Sequence, residues 1–303
     1  MFSTEPKMLI VGPGALGGLF AARIGRRRHG VYLLDHREDR AAKLQESGLH
    51  VTGATLADWT LPPGRASTRA AGWPVMDVVF FFVKAPMFAA AWKEALPVIG
   101  PETALVVFPE AVDLSALKKR SRQLIVALTD DRARMEGMGR VFHESTGDTR
   151  LDGTASQAKA VAGILKEAGI PVVLDKKIRE LRWVTLLAQV CVDVPTALAD
   201  APQKSLLEPP LSVLGDRLML ECVALAKALK RPVSAAALKT RRDALIAKAP
   251  DAKSPLGRDL LRGRPTERAA LLDPLLAAGK DKAPLLADMD RLLRRLEKEG
   301  PIP

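Results

Sequence analysis

Met8–Gly18, MLIVGPGALGG, opens on an apolar run, Met8 to Val11, whose length and composition predict a buried strand. Gly12, Gly14 and Gly17 follow as G-x-G-x-x-G and lead directly into Ala15 to Arg28, which reads as a helix. In a strand, turn and helix of this kind each glycine has a separate task. Gly12 permits the turn, Gly14 lets a pyrophosphate approach the backbone, and Gly17 lets the helix lie close to the strand. The unpaired N–H groups of the first turn, at Ala15 and Leu16, then face the phosphates together with the positive end of the helix dipole.

Glycine-rich turns occur in many loops, so the surrounding sequence carries the weight. A second apolar run, Val31 to Leu34, ends at Asp35, 18 residues after Gly17, where an acid that bonds the adenosine ribose hydroxyls is expected. The order strand, motif, helix, strand, acid predicts dinucleotide binding. Asp35 favours NAD, because a carboxylate repels a 2′-phosphate, whereas His36 and Arg37 beside it supply cations that suit NADP.

At 303 residues and 48% hydrophobic composition, the chain has enough material for two ordinary domains, each with its own core. No uninterrupted apolar run approaches the ~18 residues that cross a bilayer, and MFSTEPK lacks the apolar segment of a secretory leader. A cytoplasmic protein with no membrane partner is the expectation. Cys191 and Cys222 lie in apolar helical patterns without paired spacing, which predicts core packing. His29, His36, His50 and His143 are scattered and form no ligand motif, so no metal is expected. The formal net charge of +11 raises nucleic acid as a partner. Arg26 to Arg28, Lys118 to Arg120 and Arg294 with Arg295 fall on helix ends or mixed helices without interleaved aromatics, a pattern of solvated surface charge.

Along the chain, HREDRAAKLQESG after Asp35 reads as a helix, and Met76 to Val83 as a central parallel strand covered on both faces. Further strands are predicted over Thr103 to Phe108 and Gln123 to Thr129, around Val141 and Thr149, and over Ile170 to Leu174, with a helix over Ser156 to Gly169. Alternating strands and helices predict an α/β domain over residues 1–175, with a doubly wound, mostly parallel sheet. From 176 to 303 only helical periodicities separated by proline-bearing turns remain, which predicts an all-α second domain. Its first helix, Ile178 to Ala199, carries Thr185, Gln189 and Asp193 at i, i+4 and i+8, one polar stripe on an apolar helix. Such a stripe lines a ligand cleft or bonds to neighbouring helices.

The chain resembles the ketopantoate reductase family over nearly its whole length. The resemblance is carried by GPGALGG at Gly12 to Gly18, VKA at Val83 to Ala85, G-x-x-x-L-D-G at Gly147 to Gly153, AGI at Ala168 to Ile170 and IRELRW at Ile178 to Trp183. It continues in TAL at Thr196 to Leu198, SPLGRD at Ser254 to Asp259 and PTE at Pro265 to Glu267. It implies a Rossmann domain, a helical domain that can support a homodimer, and NADP-dependent reduction of a small 2-keto acid between the two. Carried over by residue, it retains Lys84, Ser254 near the substrate carboxylate, and Glu267 as the substrate-side acid. The family's proposed proton-donating lysine falls on Thr185, its two helix asparagines on Gln189 and Asp193, and the asparagine of its Q-N-G turn on Glu110.

A ketone that receives hydride becomes an alkoxide and needs a proton donor, which threonine at its ordinary pKa supplies poorly. Relative to the family pattern the site loses one positive charge and gains two formal negatives. At an effective dielectric of ~20, unit charges ~4 Å apart interact by ~4 kcal/mol, enough to weaken carboxylate binding several hundredfold. The expectation is therefore an NAD(P)-dependent reductase of a carbonyl or imine compound other than ketopantoate, neutral or cationic. Lys84 or Asp193 is the proton donor and Glu267 the orienting acid. A non-catalytic dinucleotide-binding protein is the alternative from another class.

Overall fold

The computed structural model describes residues 5–28, 30–108 and 115–299, and the chain divides into two compact units, Met1–Arg179 and Glu180–Pro303. The division falls in the first turn of the helix that opens the second unit, a few residues beyond the boundary read from the sequence.

The first unit runs β1 (Met8–Val11), α1 (Ala15–Gly25), β2 (Val31–Leu34), α2 (Glu38–Ser47), β3 (Leu49–Gly53), β4 (Ala57–Trp59), β5 (Ala66–Ser67) and β6 (Val78–Phe81). It continues with α3 (Phe88–Ala95), β7 (Ala104–Val107), α4 (Ser115–Arg120), β8 (Leu124–Thr129), β9 (Arg132–Gly137), β10 (Arg140–Ser145), β11 (Thr149–Asp152), α5 (Ala158–Glu167) and β12 (Val172–Asp175). Eight strands form one sheet in the order β12-β11-β8-β7-β6-β1-β2-β5, parallel throughout except where β11 meets β8.

The two-residue period of a strand explains why the central runs are apolar at every position. Met8, Ile10, Val78 and Phe80 face the core that includes Leu19, Phe20 and Ile24 of α1 and Val161 and Leu165 of α5. Leu9, Val11, Val79 and Phe81 face the other way, into a second core with Phe88 of α3 and Leu117 of α4. Burying a strand on both sides in this way contributes roughly 1.5–3 kcal/mol per large apolar side chain.

A smaller four-stranded sheet, β4-β3-β10-β9, takes in the strand expected around Val141 as β10 and adds β9, for which the sequence carries no signal. β9, RARMEG, has no buried residue and its pairing comes from β10 rather than from an apolar pattern of its own. α1 also stops at Gly25, three residues short of the predicted end.

The second unit is helical: α6 (Ile178–Leu198), α7 (Leu211–Ala228), α8 (Ala235–Lys248), α9 (Pro255–Leu261), α10 (Arg268–Gly279) and α11 (Pro284–Glu299). Glu221 on α7 accepts the backbone N–H groups of Leu285 and Leu286 at 3.0 and 2.9 Å, which satisfies two otherwise orphaned donors at the start of α11. Arg268 of α10 bonds Asp290 at 2.6 Å and Glu297 at 2.8 Å on α11. Leu286, Met289 and Leu293 of α11 are buried, so this helix closes the core of its own unit. α6 is 21 residues long and apolar enough by composition to cross a membrane, but 72% of that window is buried inside the fold. Cys191 on α6 and Cys222 on α7 meet in this core with their sulfurs 3.7 Å apart, and both are free thiols.

Candidate functional site

Parallel pairing sets the geometry of the first unit's site. Val11 is in register with Leu34 on one side and Phe81 on the other, so Gly12, Asp35 and the Phe82–Lys84 segment leave the sheet together at the carboxyl ends of their strands. This is the end of an open parallel sheet at which ligands bind. Gly12 donates its N–H to Leu34 O at 2.9 Å, and Gly14 N–H returns to Gly12 O at 2.8 Å, which closes the tight turn. Gly12 has φ +82°, and a β-carbon there would stand 2.6 Å from Val83 Cγ1. A β-carbon on Gly17 would collide with the carbonyl oxygen of Gly12.

Gly14 is different. A β-carbon built on it meets nothing within 4 Å, and no side chain caps α1 at this N-terminus. The backbone face over Gly14, Ala15 and Leu16 is therefore open to a ligand at the positive end of the helix dipole, and these residues fit a pyrophosphate. Beside the turn lies a cavity of 440 Å³ whose walls include Gly12, Asp35, His36 and Val83 together with Ala90 and Ala91 of α3. That volume belongs to the range of small-molecule and cofactor sites.

Asp35 is engaged within the protein. Arg40 on α2 grips its carboxylate in a two-point pair, with Nη2 2.8 Å from Oδ1 and Nε on Oδ2, and the Arg37 backbone N–H also donates to Oδ1 at 3.0 Å. His36 Nδ1 lies 3.4 Å from Oδ1. The Arg37 guanidinium bonds Asp39 through Nε at 3.0 Å and through Nη2, so its charge is directed along α2. Lys84 is exposed at the head of a short 3-10 turn, Ala85–Met87, and next to Val83 of the cavity wall.

In the helical unit, α6 holds Thr185 at 2% exposure and Asp193 at 7%, with half-buried Gln189 a turn from each on the same face. The Thr185 hydroxyl donates to Leu181 O at 2.8 Å and accepts from Arg241 Nε of α8 at 2.9 Å. Its proton is thus committed to its own helix, and a guanidinium occupies its acceptor side. Ser254 caps α9, accepting Gly257 N–H at 3.2 Å, and its hydroxyl lies 3.5 Å from the Asp193 carbonyl oxygen. The fold therefore joins Thr185 to Arg241 and Asp193 to Ser254. Glu267 is half-buried just before α10, and Glu110 lies outside the described residues.

Arg40 and Arg241 are the site neighbours that the sequence did not single out. Arg40 follows Asp35 by five residues and could have been found by asking what neutralises a buried acid. Arg241 is 56 residues from Thr185, and nothing local marks it. Among the described residues no three His, Cys, Asp or Glu side chains are grouped to hold a metal.

Comparison with known proteins agrees with this geometry. Residues 8–155 match the family described as Ketopantoate reductase PanE/ApbA, and residues 177–294 match its C-terminal domain. A 2-dehydropantoate 2-reductase of Halobacterium salinarum is 24% identical over 309 aligned residues, covering 97% of this chain and 100% of that one. The crystal structure of a PanE/ApbA family ketopantoate reductase from Ralstonia eutropha superposes with a TM-score of 0.86 at 21% identity, covering 97% of this chain and 99% of that one. A D-mandelate dehydrogenase solved with NADH and anilino(oxo)acetate gives a TM-score of 0.84 at 17% identity, with 96% and 98% covered. A dimeric ketopantoate reductase from Staphylococcus aureus gives 0.80 at 16%, with 96% and 99% covered. With both of its domains matched in order, on an open sheet followed by a helical unit, this chain belongs to the ketopantoate reductase PanE/ApbA family of NAD(P)-dependent oxidoreductases.

Proposed function

We propose that the protein is a reductase that uses NADPH, with NADH as the second choice, to reduce the carbonyl of a small 2-oxo acid other than ketopantoate. The glycine turn carries this reading: Gly12 and Gly17 hold it tight and leave an open, uncapped face over Gly14, Ala15 and Leu16 that fits the pyrophosphate of a dinucleotide. A dinucleotide held by its pyrophosphate at this turn would supply hydride from its reduced nicotinamide.

The remaining work belongs to side chains of the chain itself. The alkoxide that hydride transfer leaves needs a proton, and Lys84 supplies it through its ammonium group, with Asp193 as the second candidate. Thr185 is a poor donor, since its hydroxyl proton is held by Leu181 O. The sequence alone favours a neutral or cationic substrate, because relative to the family pattern the site loses the lysine's charge at Thr185 and gains formal negatives at Glu110 and Asp193. Arg241, 2.9 Å from Thr185, returns the positive charge lost there and, against the acids Glu110 and Asp193, supplies the local cation that an anionic 2-oxo acid needs. Gln189, Ser254, Glu110 and Glu267 supply polar contacts that orient the substrate. A homodimer formed through the helical unit accompanies this reading, as one dimeric relative allows.

The test is NADPH consumption by the purified protein with a panel of small 2-oxo acids, with ketopantoate, neutral ketones and imines as comparators. We expect saturable turnover of a 2-oxo acid and slower or no turnover of ketopantoate. Lys84→Ala should lower kcat by about 10²–10⁴. Arg241→Ala should raise KM by roughly 10–100-fold, the loss of one charged hydrogen bond. Nucleotide binding without turnover of any panel member would remove the reductase assignment and leave a non-catalytic dinucleotide-binding protein.

A further inference from the structure

An acid at the end of the second strand of a dinucleotide fold ordinarily accepts the ribose hydroxyls and excludes a 2′-phosphate. Asp35 has that position but not that freedom. Its side chain is 1% exposed, and three of the roughly four acceptor sites of a carboxylate are taken, two by Arg40 and one by the Arg37 backbone. The two-point Arg40 contact also cancels its charge, so the repulsion that would reject a phosphate is offset inside the protein.

The neighbouring strand brings a cation to the same place. β5 pairs parallel to β2 with Leu33 opposite Ala66 and Leu34 opposite Ser67, and Asp35 N–H donates to Ser67 O at 3.0 Å. Thr68 and Arg69 therefore step off the sheet directly beside Asp35 and His36, and both line the 440 Å³ cavity. Arg69 is exposed, its backbone N–H is fixed on Ser67 Oγ at 3.1 Å, and among the described residues its guanidinium forms no ion pair. The other charges in the lining are Lys93 and Glu94, adjacent on α3 and opposite in sign. With Asp35 neutralised and those two offsetting, Arg69 is the uncompensated charge.

We propose that Arg69 receives the 2′-phosphate of NADPH and that Arg40 is a positioning residue which permits this by holding Asp35 out of the ribose site. The proposal rests on reading the cavity as the adenosine end of the nucleotide site. Arg69 thus decides which cofactor is used.

Equilibrium fluorescence titration of the full-length protein with NADPH and with NADH tests both levels. Wild type should bind NADPH the more tightly. Arg69→Ala should weaken NADPH roughly 10–100-fold and change NADH less than about threefold, the signature of one lost charge-assisted contact. Arg40→Ala should move the two cofactors in opposite directions, weakening NADPH and tightening NADH as the carboxylate is released, and Arg40→Lys should keep part of the NADPH preference. A merely structural Arg40 would weaken both alike. Wild type preferring NADH, or an Arg69→Ala protein with an unchanged ratio, would overturn the proposal while leaving the reductase reading in place. Failure of wild type to bind either nucleotide would remove both.

Discussion

Gly17 has no room for even a methyl group, because a β-carbon would run into the Gly12 carbonyl oxygen, which is backbone and has nowhere to go. Gly17→Ala should therefore push α1 off β1 and tilt the N–H groups of Ala15 and Leu16 away from the phosphates. The expected result is a loss of ~1–3 kcal/mol in stability, typical of overpacking, together with NADPH binding weakened beyond what the stability loss explains. Thermal melts and a nucleotide titration of the same sample check this, and wild-type affinity in a folded variant would show that the close approach is not needed. The glycine pattern was legible in the sequence because Gly12 and Gly17 answer backbone demands that only glycine meets, while Gly14 leaves its face open. Asp35 was legible as a position and not as a state: whether its carboxylate is offered to a ligand depends on where α2 carries Arg40. Thr185 is similar, since the loss of a lysine is visible in the sequence and the arrival of Arg241 from another helix is not.

Elements were read correctly where burial imposed a pattern on them. β1, β2, β6 and β7 are apolar because both faces are covered, and α6 stands out as a long apolar helix with one polar stripe. β9 escaped because its strand character is lent by β10, and with it went the second sheet. A different kind of tie joins β11 to the first turn of α6. Asp152 on β11 is buried, which pushes its carboxyl pKa up. Hydrogen bonds from the Thr154 hydroxyl and backbone and from Arg179 outweigh this and hold it below the usual carboxylate range. A carboxyl lowered in the folded state adds stability above its unfolded pKa of ~3.9, and that contribution disappears as pH falls through the lower folded value. Asp152→Asn should cost about 1–3 kcal/mol near neutrality, the range for hydrogen bonds to a charged group. The gap to wild type should close progressively below pH ~4. Melting curves at stepped pH check this, and a gap that stays constant into acid would mean that Asp152 acts by shape and not by charge.

Over the whole molecule the formal charge of +11 is large enough to invite a polyanion, so its arrangement decides the outcome. Two of the three basic clusters of the sequence have local partners, and the third sits at a helix end. Arg26 donates to Leu56 O at 2.8 Å, and Arg28 pairs with Glu167. Lys118, Lys119 and Arg120 occupy the last turn of α4, where cations suit the helix dipole. Arg294 bonds Asp273 at 2.6 Å and Asp290 at 2.8 Å, and Arg295 bonds Glu299 at 2.7 Å. Exposed pairs of this type add little stability, but each places an acid beside the cation that a phosphate backbone would need. Association with duplex DNA should therefore stay in the non-specific regime. Its Kd should be weaker than about 1 μM at physiological salt and should weaken only shallowly as salt rises, because few counterions are released. Fluorescence anisotropy of a labelled duplex at several salt concentrations checks this. Sub-micromolar binding that survives physiological salt would mean that the surplus cations form a continuous face, and nucleic acid would then return as a partner alongside the nucleotide.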